Sequence, residues 1–410
     1  MAEEEKLQRI IDLAAEIAEV KDIDLLLEKI LREARVFTHA DAGSIYVREG
    51  ESLKISYTQN DTIERRLPPG KKLIYSTFTL PIDSRSIAGY VAGTGEILNL
   101  ADVYELPAGT PYRFNRSYDE VSGYRTRSML TFPLKTMRGD VVGVLQLINA
   151  ADPAGAVVPF PAEEEPYILH FAHSTAVAVE RAKLTRAIIL RMNRMAELRD
   201  PKETGPHVNR VGSYSVVIYE TWARKRGVAA AEIERTKDVL RMAAMLHDVG
   251  KVAISDTILK KPARFTPEEF ETMKEHTVMG ARLFAELYSE FDEAASVVAL
   301  NHHERWDGRG YPGHVDPVDG RVLAGYELPD GRPRGKEGEE IPLFGRIVAL
   351  ADVYDALSSR RCYKEAWDEE RVLEELRGEA GGQFDPELVE AFFDSLDSIR
   401  HIERLYPDEG

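Results

Sequence analysis

Cysteine is almost absent from this sequence, because Cys362 is the only one among 410 residues. A single thiol cannot form an internal disulfide, and this usage is typical of a reducing compartment, so we expect a cytoplasmic location. Thiolate ligands are also too few for a structural zinc site of the finger type.

Long hydrophobic runs are absent as well. The longer mainly apolar runs, such as VVGVLQLI from Val141, are well below the roughly 18 apolar residues that suggest a membrane-spanning helix. The opening residues, MAEEEKLQRI, are acidic and polar, whereas a secretory signal has a basic region followed by an apolar one. The sequence therefore predicts neither membrane insertion nor secretion.

A surplus of positive charge is also missing. The formal net charge is -17, with 53 Lys and Arg against 70 Asp and Glu. A nonspecific DNA or RNA binder needs a broad basic surface to release counterions, so we expect no nucleic-acid partner. A small phosphorylated substrate needs only a local basic or metal-filled site, and the global charge does not exclude one.

The length predicts two domains joined by a connector. The first residues are apolar at helical spacing, with a break at Asp24, and the pattern changes near Ala42. GSIYVRE and LKISYTQ then alternate as strands do, around a short turn at Gly50 and Glu51. A helix-like SIAGYVAGTG follows, and Arg138-Gly139-Asp140 separates two further apolar runs as a turn does.

This order of helices and antiparallel strands resembles a GAF domain, most clearly in SIAGYVAGTGEILNLADV and SMLTFPLKTMRGDVVGVLQLIN. The resemblance implies an α+β sensory or dimerising domain at residues 22–180, preceded by an N-terminal helix at 1–21. GAF domains that bind cyclic nucleotides usually carry Asn-Lys, but here Ala150 follows Asn149, and Phe160 with Glu163 only loosely matches the rest. The GAF ligand therefore stays unassigned.

A connecting helix is predicted at residues 181–199. The longer run TAVAVERAKLTRAIILRMNRMAELRD, which contains this helix, has apolar positions that approach a heptad stripe too short to prove a coiled coil. The stripe comprises Ala176, Val179, Leu184, Ile188, Ile189, Met192 and Met195. A helix packed on its own domain and a helix between two subunits both fit this pattern, and the habit of GAF-linked proteins to dimerise through such a helix favours a homodimer.

The second half concentrates polar residues in five separate segments. These are ETGPH from Glu203, LHDVGK from Leu246, KEHTVMG from Lys274, NHH from Asn301 and LADVYDAL from Leu350. One histidine near a helix end is more often a cap or a core residue than a metal ligand. Together, however, five histidines and several carboxylates form a mixed nitrogen and oxygen donor set that suits Fe, Mn or Zn. Their number exceeds what one ion accepts, so we expect at least two metals.

Local geometry supports this interpretation. His247 and Asp248 follow the helical run VLRMAAML and precede Gly250, a possible helix stop, so both side chains can turn toward one point. Asp352 and Asp355 are three residues apart on one helix face. A buried carboxylate there is costly unless it is paired or binds a metal, which makes a purely structural role the weaker interpretation.

From about residue 196 to 405 the sequence resembles an HD-GYP domain, a helical branch of the HD phosphohydrolases that hydrolyses cyclic di-GMP. His247-Asp248 and Gly310-Tyr311-Pro312 carry the two motifs, and HHERWDGRGYPG, ADVYDAL and GGQFDP agree in order. The predicted architecture is thus an α+β GAF domain with an antiparallel sheet, followed by an all-α HD-superfamily domain at residues 200–410.

The resemblance implies a set of metal ligands and substrate contacts. The implied ligands are His207, His247, Asp248, His276, His302, His303 and Asp352. Glu203 matches the position that supplies a third metal in some members, and its spacing from His207 would place both on one helix face. The cofactors would be two or three divalent transition metals, iron first and manganese as the alternative.

Other residues match the family's catalytic and phosphate-holding positions. Lys251 corresponds to a lysine beside the metals and is predicted to be catalytic together with Asp248, while Arg361 and Lys364 would hold substrate phosphates. Tyr311 would lie near the substrate. The acid that protonates the leaving oxygen stays open between a water, Lys251 and a histidine. Cys362 stands where the family usually has proline, which removes a fixed φ from that turn.

The spacing between His303 and Asp352 is longer than usual in the family by about twenty residues, within a loop-like segment rich in Gly, Pro and charge. The insertion between His314 and Glu340 is interpreted as a lid or specificity loop, with a tolerated surface insertion as the alternative. The function predicted overall is a GAF-regulated phosphodiesterase that converts cyclic di-GMP to pGpG or GMP. A phosphodiesterase for 3′,3′-cGAMP and a weakly catalytic scaffold are the alternatives.

Overall fold

The chain forms two compact units, Met1–Arg186 and Ala187–Gly410, in a computed structural model. The structure describes residues 3–66, 78–197, 205–359 and 367–407. The first unit combines helices with an antiparallel sheet, and the described part of the second is helical, which confirms the predicted fold class. In the described ranges, no helix combines the length and apolarity needed to cross a membrane.

Among its described residues, the first unit contains seven strands and most of six helices. The strands are β1 (Ala40–Glu49), β2 (Ser52–Asn60), β3 (Thr79–Pro81), β4 (Leu98–Leu100), β5 (Met129–Lys135), β6 (Val141–Ala151) and β7 (Val157–Val158). The helices are α1 (Glu3–Glu19), α2 (Ile23–Thr38), α3 (Asp61–Glu64), α4 (Ile87–Thr94), α5 (Ser117–Ser122) and α6 (Glu165–Glu197), which continues into the second unit.

The strands pair antiparallel in the order β3-β2-β1-β6-β5-β4, and β7 adds to β6. The predicted hairpin at Gly50 is confirmed, because Glu49 pairs with Ser52 and Gly50 has a left-handed φ of 61°. Gly139, at φ 87°, turns the chain between β5 and β6. Glycine adopts these conformations without the Cβ penalty of other residues, which explains both turns.

Strand alternation divides the core of this unit between the two faces of the sheet. Ile45 and Val47 pack in one cluster with residues of α1, α2 and α6, while Tyr46 packs on the other face against Val91 of α4. The helix break lies two residues earlier than the expected Asp24, because Asp22 is the N-cap of α2 and accepts hydrogen bonds from the backbone of Asp24 and Leu25. A capping carboxylate satisfies amides that a helix start leaves unpaired.

The apolar stripe of α6 has two different environments. Ala176 and Val179 are buried in the core of the first unit, and Ile189 is buried in that of the second. Leu184 is 58% exposed and Met195 64%. Part of the stripe is therefore ordinary domain core, and part faces outward.

The second unit is built from nine helices among its described residues. They are α7 (Gly205–Lys225), α8 (Ala230–Ala244), α9 (Asp256–Leu259), α10 (Pro267–Arg282), α11 (Glu290–Asn301), α12 (Leu343–Ser358), α13 (Glu369–Gly378), α14 (Pro386–Asp394) and α15 (Leu396–Leu405). One continuous core contains Val211 of α7, Leu240 of α8, Val298 of α11, Leu350 of α12 and Phe392 of α14. This core fixes the helices that carry the polar residues.

Candidate metal centre

Seven of the predicted ligands come from five places in the second unit. His207 lies on α7, His276 on α10 and Asp352 on α12. The other four, His247, Asp248, His302 and His303, follow the ends of α8 and α11. His207, His247, His276 and His302 are each at most 3% exposed, so the folded core holds these imidazoles away from solvent.

Two glycines allow α10 to approach the His-Asp segment closely. Gly250 lies inside a 3-10 turn, Val249–Ala253, and does not end α8, which stops at Ala244. The expected helix stop at Gly250 is therefore wrong. A Cβ at Gly250 would lie 1.9 Å from the carbonyl oxygen of His276 and 2.4 Å from the amide nitrogen of Gly280. The absence of a side chain is what lets His276 reach Asp248.

The first group of ligand atoms consists of Asp248, His276, His302 and His303, all within 4.8 Å of one another. Asp248 Oδ1 is 3.2 Å from His276 Nε2 and 3.6 Å from His302 Nε2. Ligands of one ion, at metal distances of about 2.0 to 2.2 Å and tetrahedral or octahedral angles, lie about 3 to 3.6 Å apart. Asp248, His276 and His302 therefore have the spacing of a single coordination sphere.

The second group consists of His207, His247 and Asp352. Asp352 Oδ1 is 3.7 Å from His207 Nε2 and 3.8 Å from His247 Nε2. Asp248 connects the groups, because its second oxygen, Oδ2, is 3.2 Å from His247 Nε2. Asp248 would therefore offer one oxygen to an ion in the first group and the other oxygen to an ion in the second.

The histidines are oriented by hydrogen bonds at their other nitrogen. Nδ1 lies 2.9 Å from Ala244 O in His247, 2.7 Å from Met273 O in His276 and 3.0 Å from Ala299 O in His302. A carbonyl oxygen can only accept, so Nδ1 carries the proton and Nε2 presents its lone pair to the centre. This outward bond is what fixes the tautomer of metal-binding histidines.

His207 is oriented by a carboxylate instead. Its Nδ1 is 2.8 Å from Asp355 Oδ2, and Arg210 donates to Asp355 from Nε at 2.6 Å and from Nη2 at 2.9 Å. Burial opposes ionisation of Asp355, but the hydrogen bonds from His207 and Arg210 lower its pKa to about 2.

The sequence pattern placed Asp352 and Asp355 on one helix face but did not distinguish the candidate ligand, Asp352, from the residue that orients His207, Asp355. Arg210 was missed, although its position one helical turn after His207 was a usable signal.

Charge states in the centre favour cation binding. Burial raises the pKa of Asp248, but the charge of the neighbouring Lys251 helps to hold it well below its usual range. Burial lowers the pKa of His302, and burial with the nearby His302 and His276 holds that of His303 well below its usual range. An ionised carboxylate and neutral imidazoles are the forms that coordinate metals.

Lys251 and Tyr311 lie beside the candidate ligands. Lys251 Nζ donates to Asp248 Oδ2 at 2.7 Å. The ring of Tyr311 stacks on His303 with centroids 4.8 Å apart. Glu203, Arg361 and Lys364, the remaining predicted site residues, lie outside the described residues.

The segment between His314 and Glu340 folds back on itself in the described structure. Its backbone joins His314 N to Arg334 O at 3.0 Å and Arg334 N to Tyr326 O at 2.8 Å. Val315 packs with Ala281 of α10 and Leu300 of α11. The base of the insertion is therefore attached to α10, which carries His276, and to α11, which ends just before His302 and His303.

Glu304, next to His303, holds both ends of this segment. Its Oε1 accepts from Gly313 N at 2.6 Å and its Oε2 from Lys336 N at 3.3 Å. Lys336 also donates from Nζ to Asn301, the residue before His302. No signal in the sequence pointed to Glu304, because no motif or residue spacing indicates that its carboxylate accepts from the backbone amides of both Gly313 and Lys336.

The donor chemistry of the two groups fits divalent transition metals. Imidazole nitrogens and carboxylate oxygens at these spacings would hold one ion in each group, with Asp248 shared between them. These nitrogens and oxygens are buried acceptors that face one another. A cation bound between them would offset the unfavourable free energy of burying acceptors without donors.

Family models match both units. Residues 22–179 match the GAF domain and residues 207–357 match the HD domain. The chain therefore contains a GAF domain followed by an HD domain. A solved GAF domain from an Acinetobacter phosphoenolpyruvate-protein phosphotransferase covers 46% of the chain at 16% identity and TM-score 0.34, which adds nothing to the family match.

Curated relatives match about half of the chain. A cyclic di-GMP phosphodiesterase of Thermotoga maritima is 38% identical over 53% of this chain and 51% of its own length. A cyclic di-GMP phosphodiesterase of Vibrio cholerae is 39% identical over 51% of this chain and 39% of its own. The 3'3'-cGAMP-specific phosphodiesterase 2 of Vibrio cholerae is 34% identical over 56% of this chain and 38% of its own. The chain thus spans about half or less of the relatives it matches.

Proposed function

We propose that this protein is a metal-dependent phosphodiesterase that opens cyclic di-GMP to linear pGpG, with GMP as a further product to be tested. The observation that carries the proposal is the position of Asp248, whose two oxygens lie 3.2 Å from His276 and 3.2 Å from His247, in two separate ligand groups. The names of the relatives from Thermotoga and Vibrio support the substrate.

The centre would perform an in-line displacement at phosphorus. Two adjacent divalent ions lower the pKa of water and neutralise phosphate oxygens in such reactions. His207, His247, His276, His302, His303 and Asp352 would hold the ions, with Asp248 shared between them. The buried Nδ1 hydrogen bonds of His247, His276 and His302 keep their Nε2 atoms aimed inward, which would limit reorganisation during turnover.

Lys251 is the proposed catalytic cation. Its Nζ is anchored 2.7 Å from Asp248 Oδ2, which keeps a positive charge beside the shared carboxylate. From there the amine would hold a phosphate oxygen and supply a proton toward the leaving 3′ oxygen. Arg361, Lys364 and Tyr311 are proposed to hold the rest of the substrate, the first two through its phosphates.

Iron is the proposed metal, with manganese as the alternative, and two ions are the minimum that the two ligand groups would bind. A third would require Glu203. Anaerobically purified protein should contain at least two equivalents of iron or manganese and convert cyclic di-GMP to pGpG. Fully metallated protein that leaves cyclic di-GMP intact would contradict the proposal and favour a scaffold role.

A second candidate substrate is 3′,3′-cGAMP. One relative at 34% identity carries the name of a 3'3'-cGAMP-specific phosphodiesterase, and the metal centre itself reads no base. Turnover of the two cyclic dinucleotides under identical conditions distinguishes these substrates. A higher kcat/KM for 3′,3′-cGAMP would replace cyclic di-GMP as the proposed substrate.

The insertion between His314 and Glu340 is proposed to be a specificity element. Its attachment to Glu304 and Asn301 favours a fixed wall over a mobile lid. Replacing residues 317–332 by a short Gly-Ser link should raise KM for the dinucleotide more than it lowers kcat. Unchanged kinetics would support the alternative of a tolerated surface insertion.

The GAF domain is proposed to regulate the enzyme in the cytoplasm, as part of a homodimer and in response to a small molecule not yet identified. Leu169, Val177 and Leu184 of α6 are 50%, 47% and 58% exposed, which supports a second copy on this face. Light scattering should report a dimer for the wild type and a monomer for Val177→Glu. A monomeric wild-type protein would exclude this arrangement.

A further inference from the structure

One exposed aromatic residue near the metal centre has no role in the core. Phe270 is 43% exposed and belongs to none of the hydrophobic clusters formed by the described residues. Its helix, α10, starts with a capping box at Thr266 and Glu269, so this first turn is held in place without help from Phe270. An exposed aromatic ring beside the metal centre is a candidate ligand contact.

Phe270 is connected to the metal centre through Tyr311. The two rings meet edge to face with centroids 6.0 Å apart, and Tyr311 stacks on His303 at 4.8 Å. A planar ligand that binds at the metal centre and extends past the ring of Tyr311 would therefore also reach Phe270.

A single cation lies over both rings. Lys274 Nζ is 4.9 Å from the ring centre of Phe270 and 5.5 Å from that of Tyr311. Lys274 and Phe270 are one helical turn apart, so they share a face. The amine also donates to Glu271 at 2.7 Å, but the Glu271 side chain is 60% exposed, and such surface pairs are weak enough to be exchanged for a ligand.

We infer that Phe270 and Lys274 form a guanine-selective subsite, in which one base stacks on Phe270 and Lys274 donates to its O6 and N7 atoms. The inference rests on the proposed function and adds its base preference. Guanine presents two acceptors on this edge, whereas adenine presents an amino donor in place of O6. Stacking on an aromatic ring, by contrast, tolerates any base.

The test compares kcat/KM for cyclic di-GMP and cyclic di-AMP in the full-length, metal-loaded protein. Lys274→Met should lower the ratio of the two values by about tenfold, the lower range for a specific base contact. Lys274→Arg should retain the ratio, because arginine also donates to O6 and N7. Phe270→Leu should instead lower both values by about fivefold or more.

Two matched controls come from surface residues away from the site. Lys225 on α7 also pairs with a carboxylate, at 3.0 Å from Glu390, and Tyr288 is an exposed aromatic residue. Lys225→Met and Tyr288→Leu should leave the ratio and both values as in the wild type. A Lys274→Met protein with the wild-type ratio would overturn the subsite.

Failure of the proposed function gives a different result. Wild-type protein that hydrolyses bis(p-nitrophenyl) phosphate but neither dinucleotide would overturn the proposed function, and the subsite with it. If cyclic di-GMP is hydrolysed and the ratio is insensitive to Lys274, only the subsite is wrong.

Discussion

The two units each bury a cluster of polar side chains, and the clusters differ in how their atoms face one another. In the GAF domain, Asp41, Tyr124 and Asn149 form what we call the Asn149 cluster. Tyr124 Oη donates to Asp41 Oδ2 at 2.8 Å, and Asn149 Nδ2 donates to Tyr124 Oη at 2.9 Å. Each contact joins a donor to an acceptor, so the cluster satisfies itself.

The metal centre has the opposite arrangement. Asp248 Oδ1 and His276 Nε2, which are 3.2 Å apart, are both acceptors when the imidazole proton is on Nδ1. Acceptors this close repel unless a cation lies between them. Burial and polarity alone therefore do not identify a ligand site, but the convergence of acceptors does.

Asn149 does not support a nucleotide site in the GAF domain, because its polar atoms already have partners within the protein. Asn149 Oδ1 accepts from Arg127 N at 2.7 Å, and Nδ2 donates to Arg125 O at 2.8 Å. Asn149 thus holds the backbone at Arg125 and Arg127 in place, which is a structural role.

The largest expected effect is that of Asp248→Asn. Loss of an outer-shell partner costs about 10- to 100-fold in metal affinity or activity, and a shared direct ligand should cost more. We expect bound metal to fall and turnover of cyclic di-GMP to drop by more than about a hundredfold. Elemental analysis and a hydrolysis assay measure both. Asp41→Asn, in the Asn149 cluster, is the control that should retain the metal, and equal metal loss in both variants would undermine the distinction.

Gly250→Ala should have the next largest effect, on folding. The added Cβ would lie 1.9 Å from His276 O, so α10 must move, at about 3 kcal/mol or more of unfolding free energy. Gly50→Ala in the first unit meets no atom within 4 Å and should cost only about 1 to 2 kcal/mol from its left-handed φ. Denaturant unfolding measures both, and similar values would argue against the close approach.

Asp355→Asn should weaken the metal centre without removing a ligand. An asparagine amide is neutral, so it cannot form the ion pair with Arg210 while also accepting the hydrogen bond from His207. The imidazole of His207 would be held less firmly, and metal affinity should fall about 10- to 100-fold. Asp119→Asn is the matched change in the GAF domain, where Asp119 accepts from Thr126 N at 2.8 Å. Chelator competition should separate the two, and an unaltered metal affinity in Asp355→Asn would contradict the orienting role.

The smallest expected effect is that of Tyr124→Phe. Removing this hydroxyl leaves Asp41 and Asn149 each short of one partner, at about 1 to 3 kcal/mol. Unfolding measurements should report this loss, while metal content and kcat stay at wild-type values. A fall in bound metal would show that the Asn149 cluster is not independent of the centre.

Much of the fold was predictable because its signals are local. Alternation in GSIYVRE and LKISYTQ indicated β1 and β2, and glycines at Gly50 and Gly139 marked the turns. The helix break was placed at Asp24 and lies at Asp22, since capping depends on side-chain geometry that an apolar pattern does not contain.

The candidate ligands were also predicted from sequence, but their arrangement was not. The resemblance to the HD-GYP domain selected His247, Asp248 and Asp352 without revealing that the ligands form two groups connected by Asp248. Asp352 and Asp355 illustrate the reason, because Asp352 is a candidate ligand whereas Asp355 pairs with His207 and Arg210. Both lie on one face of α12, and only the packing of α7 against that face brings Arg210 to one of them.

The sequence by itself determined the two-domain order, the helical and strand periodicities, and the chemical types of the ligands, because these depend on neighbouring residues. The tertiary structure alone decided which atoms face each other. Contact between α10 and the turn at Gly250, the attachment of the insertion to Glu304, and the cluster of Phe270, Lys274 and Tyr311 join residues far apart in the chain. Such distances depend on how whole helices pack, which no local pattern specifies.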